Sequence, residues 1–248
     1  MAATHVNMKT AQDLRVQEKC QNCEFPRKDF FCNLPPVALT SFQAIKITRG
    51  YPKGKMLFVQ GQPSNAVFML CQGKVKLSTC SLSGKVMILG IAEPGEIVGL
   101  SAAVNRVEYE MTAEVLEQCQ VNYVETTDLL HFFKEHPEAG LNAARQLGRN
   151  YQTAHHQICS LGLSDSACDK LAKLFLSWTG NGSGVIGRIQ IKNFFTHEEI
   201  AEMIGSSRET VTRTLKNFRE RELVTLKGSD LVIHDRQRLK AAIGSNFS

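Results

Sequence analysis

The spacing of apolar positions changes twice along this chain. From Ile47 to about Asp128 they fall in short β-prone runs: Met56–Val59, Ala66–Leu70, Val75–Thr79, Val86–Ile91 and Val121–Val124. Glycines at 50, 54, 61, 73, 84, 90, 95 and 99 punctuate them. Short strands between turns predict an all-β barrel or sandwich. From Pro137 the spacing becomes three and four: Leu141, Ala144, Leu147 or Gly148, Tyr151, Ala154, Ile158 and Leu161. A seam so narrow and long predicts a coiled-coil-like helix ending at Gly162. That seam meets either a second helix or the chain's own β-sheet. Leu163 and Ser164 then form a hinge. Ser164 or Asp165 is expected to cap a helix running to Trp178, with Ala167, Leu171, Leu174 and Phe175 inward. The GNGSG run at 180–184 has no G-K-[ST] ending and no helix after it, so it reads as a loop and not a phosphate cradle.

The third pattern lies between Thr196 and Arg219. Thr196 precedes Glu199 by three positions, the spacing of a capping box, and Ile200, Ala201 and Ile204 share the next helical face. Gly205 breaks that helix. Ser206 and Glu209 are spaced as a second capping box. Val211, Leu215 and Phe218 line the apolar face that follows, and Arg208, Thr212, Arg213 and Lys216 the opposite one. Two helices joined by so short a turn predict a helix-turn-helix, whose second helix enters a DNA major groove. Leu223–Leu226 and Leu231–His234, around Lys227-Gly228-Ser229-Asp230, predict a β-hairpin wing.

Charge supports this reading. The 248-residue chain carries a formal +5. Between Ser206 and Lys227 the cations Arg208, Arg213, Lys216, Arg219, Arg221 and Lys227 outnumber Glu209, Glu220 and Glu222, which suits phosphate contacts. No apolar run approaches the ~18 residues of a membrane-spanning helix. The N-terminus lacks the apolar core of a secretory signal, so a cytoplasmic protein with no membrane partner is expected. Nucleophile motifs, H-E-x-x-H and P-loop patterns are all missing from the sequence, so an enzyme is not expected.

Eight cysteines in a reducing compartment are free thiols, metal ligands or redox sensors rather than a disulfide framework. Cys20, Cys23 and Cys32 sit close together, and one short loop can present three thiolates to a shared centre. Zinc would need a fourth ligand, and the segment holds no further cysteine or histidine. Buried or merely free cysteines are the other reading. Cys71, Cys80, Cys159 and Cys168 are scattered singly among apolar neighbours and read as core. His155 and His156 point about 100° apart on a helix and cannot both face one metal; they read as rim side chains.

The run IGSSRETVTRTLKNFRERELVTLKG resembles the helix-turn-helix of the Crp/Fnr regulators, including their S-R-E-T-V-x-R core. GKMLFVQGQPSNAVFMLCQGKVKLSTCSLSGKVMILGIAEPGEIVGL resembles their cyclic-nucleotide-binding β-roll, with Gly73, Gly84, Pro94, Gly95 and Glu96 at its turns. The resemblance implies an α+β chain. Its parts would be a cysteine-containing segment at 1–36, a β-roll sensor at 37–136, a dimerisation helix at 137–162 and a winged helix-turn-helix at 163–248. It also implies a homodimer that works with RNA polymerase on double-stranded DNA. Arg208, Glu209 and Arg213 would read base edges, and the arginine at 208 is like that of the Crp branch. An inverted repeat of TGTGA-like half-sites is therefore expected. Ser207, Thr212 and Lys216 would hold phosphates, and Thr196 is a further expected DNA-binding residue.

The resemblance also implies two candidate sensing sites. In cyclic-AMP-binding members a glutamate follows the glycine near the PGE turn, and an Arg-Ser pair holds the phosphate. Here Leu100 follows Gly99, and Tyr109-Glu110 fall where the Arg-Ser pair would be, so cyclic AMP is not the expected ligand. Cys20, Cys23 and Cys32 resemble the N-terminal set that holds a [4Fe–4S] cluster in the Fnr branch. Asn122 falls at that branch's fourth ligand. Cys119 lies three residues earlier, and a loop or bulge would be needed to bring it round as the fourth. The alternative is a regulator without a cluster, answering to a small effector or to thiol oxidation.

Overall fold

The computed structural model describes residues 31–164, 166–178, 189–191, 195–227 and 230–243. Cys20, Cys23 and the 180–184 loop lie outside them. The first elements are α1 (Pro36–Ile45), β1 (Ile47–Tyr51), β2 (Met56–Phe58), β3 (Ala66–Cys80), β4 (Val86–Ala92), β5 (Ile97–Val98), α2 (Leu100–Asn105) and β6 (Thr112–Glu125). They are followed by α3 (Thr126–Glu135), α4 (Pro137–Gly162), α5 (Ala167–Trp178), β7 (Ile189–Ile191), α6 (His197–Ile204) and α7 (Arg208–Glu220). The chain continues through β8 (Val224–Lys227), β9 (Asp230–Ile233) and α8 (Arg236–Ala241).

A six-stranded sheet has the order β1-β6-β3-β4, with β2 also pairing β6 and β5 also pairing β3. The expected runs at 66–70 and 75–79 are one continuous strand. Gly73 lies inside it and is not at a turn: φ is +92°, a left-handed value that lets glycine kink a strand without ending it. Gly84 and Gly95 do sit at turns, with φ of +81° and +97°. The spacing of apolar residues did not announce α1, α2, α3, β7 or α8.

The chain divides into two compact units. One runs to Lys76 and resumes over Ile91–Gln146; the other takes Leu77–Gly90 and continues from Leu147. Helix α4 runs across the boundary between them. In the first unit Phe31, Phe42 and Phe132 pack with ring centroids 5.5–6.4 Å apart, so the residue before Cys32 is anchored under α1 and α3. In the second, α5 lays Leu171, Ala172 and Phe175 in the core, with Ala172 where Leu174 was expected. Ser166 Oγ accepts the Asp169 N–H at 3.1 Å and thus caps this helix. Ser164 instead accepts from Lys173 Nζ at 2.8 Å. Among the described residues, no helix is long and apolar enough to cross a membrane.

Candidate nucleic-acid interface

Thr196 starts α6 as expected. Its hydroxyl accepts the Glu199 N–H, and the Glu199 carboxylate accepts the Thr196 N–H at 2.9 Å, completing the capping box. Gly205 ends α6 with φ +62°. The next N–H, of Ser206, is spent on the Ala201 carbonyl at 2.9 Å. Ser206 therefore still closes the first helix, and α7 begins one residue later than its expected Ser206–Glu209 box. Ser207 is the true cap, accepting the Thr210 N–H at 3.2 Å.

Val211, Leu215 and Phe218 are almost completely buried. Arg208, Glu209, Thr212, Arg213 and Lys216 are all exposed and lie together on the outer face of α7. A 13-residue helix with one face locked in the core and the other carrying three cations is a rigid platform for a duplex. Its own backbone N–H, and then the Ser207 hydroxyl, hold the Glu209 carboxyl below the usual range. It stays ionised near neutrality and can accept a hydrogen bond from cytosine N4.

Thr212 is engaged within the protein. Its hydroxyl donates to the Arg208 carbonyl at 2.9 Å and lies 2.8 Å from His197 Nδ1. His197, at the start of α6, thus ties the two helices together. The sequence carried no sign of this, because the pair is 15 residues apart and neither residue belongs to an apolar pattern. Lys216 pairs with Glu220 at 3.8 Å on the surface, an interaction weak enough to yield to a phosphate.

The wing forms as expected, with Lys227 opposite Asp230 and Val224 opposite Ile233. Strand β7 adds a third member in the order β7-β9-β8.

The structure does not bring Cys119 round as a ligand. Residues Ile47–Tyr51 pair with Cys119–Tyr123 in unbroken register, so no bulge intervenes and Cys119 and Asn122 point to opposite faces. Asn122 accepts hydrogen bonds from Thr48 Oγ1 at 2.8 Å and Lys46 Nζ at 3.2 Å. Cys119 is fully buried, and its thiol reaches the Glu117 and Lys74 carbonyls at 3.0 and 3.4 Å. Burial pushes that thiol up to about 11. Cys32 is half-buried, 3.1 Å from Met69 Sδ. Of the four cysteines read as core, Cys80 is exposed and Cys71, Cys159 and Cys168 are partly exposed.

Of the residues expected at an effector pocket in the β-roll, Tyr109 packs against the chain's own aromatics. Tyr109 is stacked on Phe58, with centroids 3.8 Å apart, and donates its hydroxyl to the Ala66 carbonyl at 2.6 Å. A Cβ at Gly99 would meet the Tyr109 ring at 2.9 Å. Leu100 is buried beside it, while Glu110 faces outward and accepts from Ser101 Oγ at 3.0 Å.

Residues 48–136 match the model of the cyclic nucleotide-binding domain, and 169–242 that of the Crp-like helix-turn-helix domain. The chain is 30% identical over 190 residues to the cyclic AMP receptor protein of Thermus thermophilus, covering 77% of this chain and 83% of that protein. It is 27% identical over 236 residues to the transcriptional activator protein Anr of Pseudomonas aeruginosa, covering 93% and 95%. Its fold matches that of the c-di-GMP responsive global regulator CLP of Xanthomonas campestris with a TM-score of 0.70 at 19% identity, over 81% of this chain and 99% of that one. With a DNA-reading helix and a β-roll both in place, this chain belongs to the Crp/Fnr family of DNA-binding transcription regulators.

Proposed function

We propose that this regulator binds, as a homodimer, an inverted repeat with TGTGA-like half-sites. The observation that carries the reading is the exposed face of α7, where Arg208, Glu209 and Arg213 stand opposite a completely buried stripe. Arginine matches the paired acceptors of guanine. Arg208→Ala or Arg213→Ala is expected to cost ~1–3 kcal/mol and to relax preference at one guanine each. Lys216→Ala is expected to weaken all sequences alike and flatten the salt dependence by about one ion. Quantitative gel shifts on the palindrome and its single-base variants distinguish the two. Unchanged binding by Arg208→Ala would show that the helix sits in another register. Transcription with added RNA polymerase on the same operator reads out activation against repression.

On the sensing side, the Cys20, Cys23 and Cys32 segment supports an oxygen or redox input. Asn142 of α4 donates to the Asn33 carbonyl at 3.1 Å, so a change at Cys32 has a short path to the helix that carries the seam. The burial of Cys119 favours the second reading, thiol oxidation or a small effector without a four-thiolate cluster. Iron and sulfide analysis after anaerobic purification separates them. Four irons per chain, lost in Cys20→Ala or Cys32→Ala and retained in Cys119→Ala, would establish a cluster with a different fourth ligand. Iron-free protein that still binds its operator would establish the second reading.

Cyclic AMP is not the ligand in this proposal. Tyr109, stacked on Phe58, and Glu110 stand in place of the Arg-Ser pair of the cyclic-AMP-binding members, and Leu100 stands in place of their glutamate, so the donors that hold a cyclic phosphate are missing from those positions. Calorimetry with micromolar cyclic AMP should show no heat, and a saturable titration would overturn this part.

A further inference from the structure

Helix α4 carries a pair of metal-binding side chains that neither DNA reading nor the N-terminal cysteines use. Cys159 Sγ lies 3.8 Å from His155 Nε2, one helical turn away. Residues four apart on a helix stand side by side, and here the two donor atoms are brought together. Zinc binds thiolate sulfur at about 2.3 Å and imidazole nitrogen at about 2.0–2.1 Å, so two such ligands on one tetrahedral ion stand about 3.6 Å apart. The observed separation matches that edge with almost no movement.

The position of the pair on the helix matters as much. Leu141, Ala144, Gly148, Tyr151, His155, Ile158 and Gly162 follow strict alternating spacings of three and four, the repeat of a coiled-coil seam. Within the single chain this stripe is open: Leu141, Tyr151 and Ile158 are 52%, 72% and 69% exposed. His155, read from the sequence as a rim side chain, therefore takes the seam position between Tyr151 and Ile158 that was expected of Ala154, and Cys159 flanks it. His156 points about 100° away and is outside the seam. Among the described residues, no group of three or more ligand-type side chains surrounds a common point in one chain. Two ligands per chain make half of a tetrahedral site.

We propose that His155 and Cys159 of one chain, with His155 and Cys159 of a second copy, form a Cys2His2 zinc site across the dimer seam. The proposal rests on the homodimer argued above. Mixed sulfur and nitrogen donors in a tetrahedral set select zinc over harder cations. Each Cys159 releases its thiol proton to solvent as the zinc–sulfur bond forms. The ion then links dimer stability, on which operator binding depends, to zinc supply.

The test uses the full chain, kept reduced, dialysed against Zn²⁺ and freed of excess. Zinc is counted per chain in the wild type and in His155→Ala, Cys159→Ser and His156→Ala. The difference between wild type and either of the first two should be one zinc per two chains, and His156→Ala should match wild type. Zinc held by the N-terminal cysteines cancels in that difference. Cobalt substitution should give tetrahedral visible bands and a thiolate charge-transfer band that Cys159→Ser reduces. In sedimentation, a chelator should weaken the wild-type dimer at least tenfold and leave the Cys159→Ser dimer unchanged. A dimer whose zinc content is the same in all four proteins overturns the site and leaves the dimer standing. A monomer with and without zinc overturns both.

Discussion

Gly73→Ala is expected to destabilise the first compact unit by about 2–5 kcal/mol, summing an overpacking term and a left-handed backbone term. The added Cβ would lie 2.5 Å from Cys119 Sγ, 2.6 Å from the Gln118 carbonyl oxygen and 2.9 Å from Cys119 Cα. Two of these three neighbours are backbone atoms of β6 and cannot rotate away. The residue would also have to hold φ near +92°, which side-chain-bearing residues adopt at a cost. Against a typical total of ~5–15 kcal/mol, thermal unfolding followed by circular dichroism should show a drop of roughly 10 °C. Gly84→Ala is the control. Its φ is +81° but nothing lies within 4 Å of its Cβ, so it carries backbone strain alone and should lose about 1–2 kcal/mol. Adding Cys119→Ala to Gly73→Ala removes the sulfur contact and leaves the carbonyl one, so rescue should be partial. A Gly73→Ala protein as stable as Gly84→Ala would mean that β3 and β6 part more easily than their packing shows.

The same residues show what the sequence could and could not reveal. Periodicity identified α6, α7 and the wing, because each buries a stripe at its own repeat, and α4, whose apolar repeat is left open in the single chain. It split β3 in two because a glycine between apolar runs looks the same whether it turns the chain or kinks a strand. It missed α1 and α3, where phenylalanines from separate elements meet through space. At the site, the reading face of α7 was legible residue by residue, since exposure follows from the helical repeat once Val211, Leu215 and Phe218 are placed inside. The one-residue error at its cap came from a backbone hydrogen bond, Ser206 to Ala201, that no side-chain spacing encodes. Cys119 was hardest, because its role depends on strand register. Register decides which face a side chain takes, and the unbroken pairing with β1 turned it inward.

Ile158→Asp should abolish operator binding without unfolding the chain. Ile158 is 69% exposed in the single chain, so an aspartate there meets water, and surface substitutions of that kind usually change stability by within ~0.5 kcal/mol. In a two-fold dimer the same position is buried twice, once from each copy. Losing two buried isoleucine side chains costs ~1.5–3 kcal/mol each, and the two carboxylates would also face each other in a closed seam. That amounts to about 10²–10⁴-fold in the dimer dissociation constant. An inverted repeat read by a monomer loses the second half-site and the avidity that comes with it. Sedimentation should then show a folded monomer with an unchanged melting temperature, and gel shifts should show loss of the palindromic complex. Tyr151→Asp, one heptad away, should behave alike. Gln152→Asp, also exposed but outside the three-and-four series, should not. If Ile158→Asp sediments as a normal dimer, the open stripe of α4 is not the dimer contact, and the copies must meet through another face.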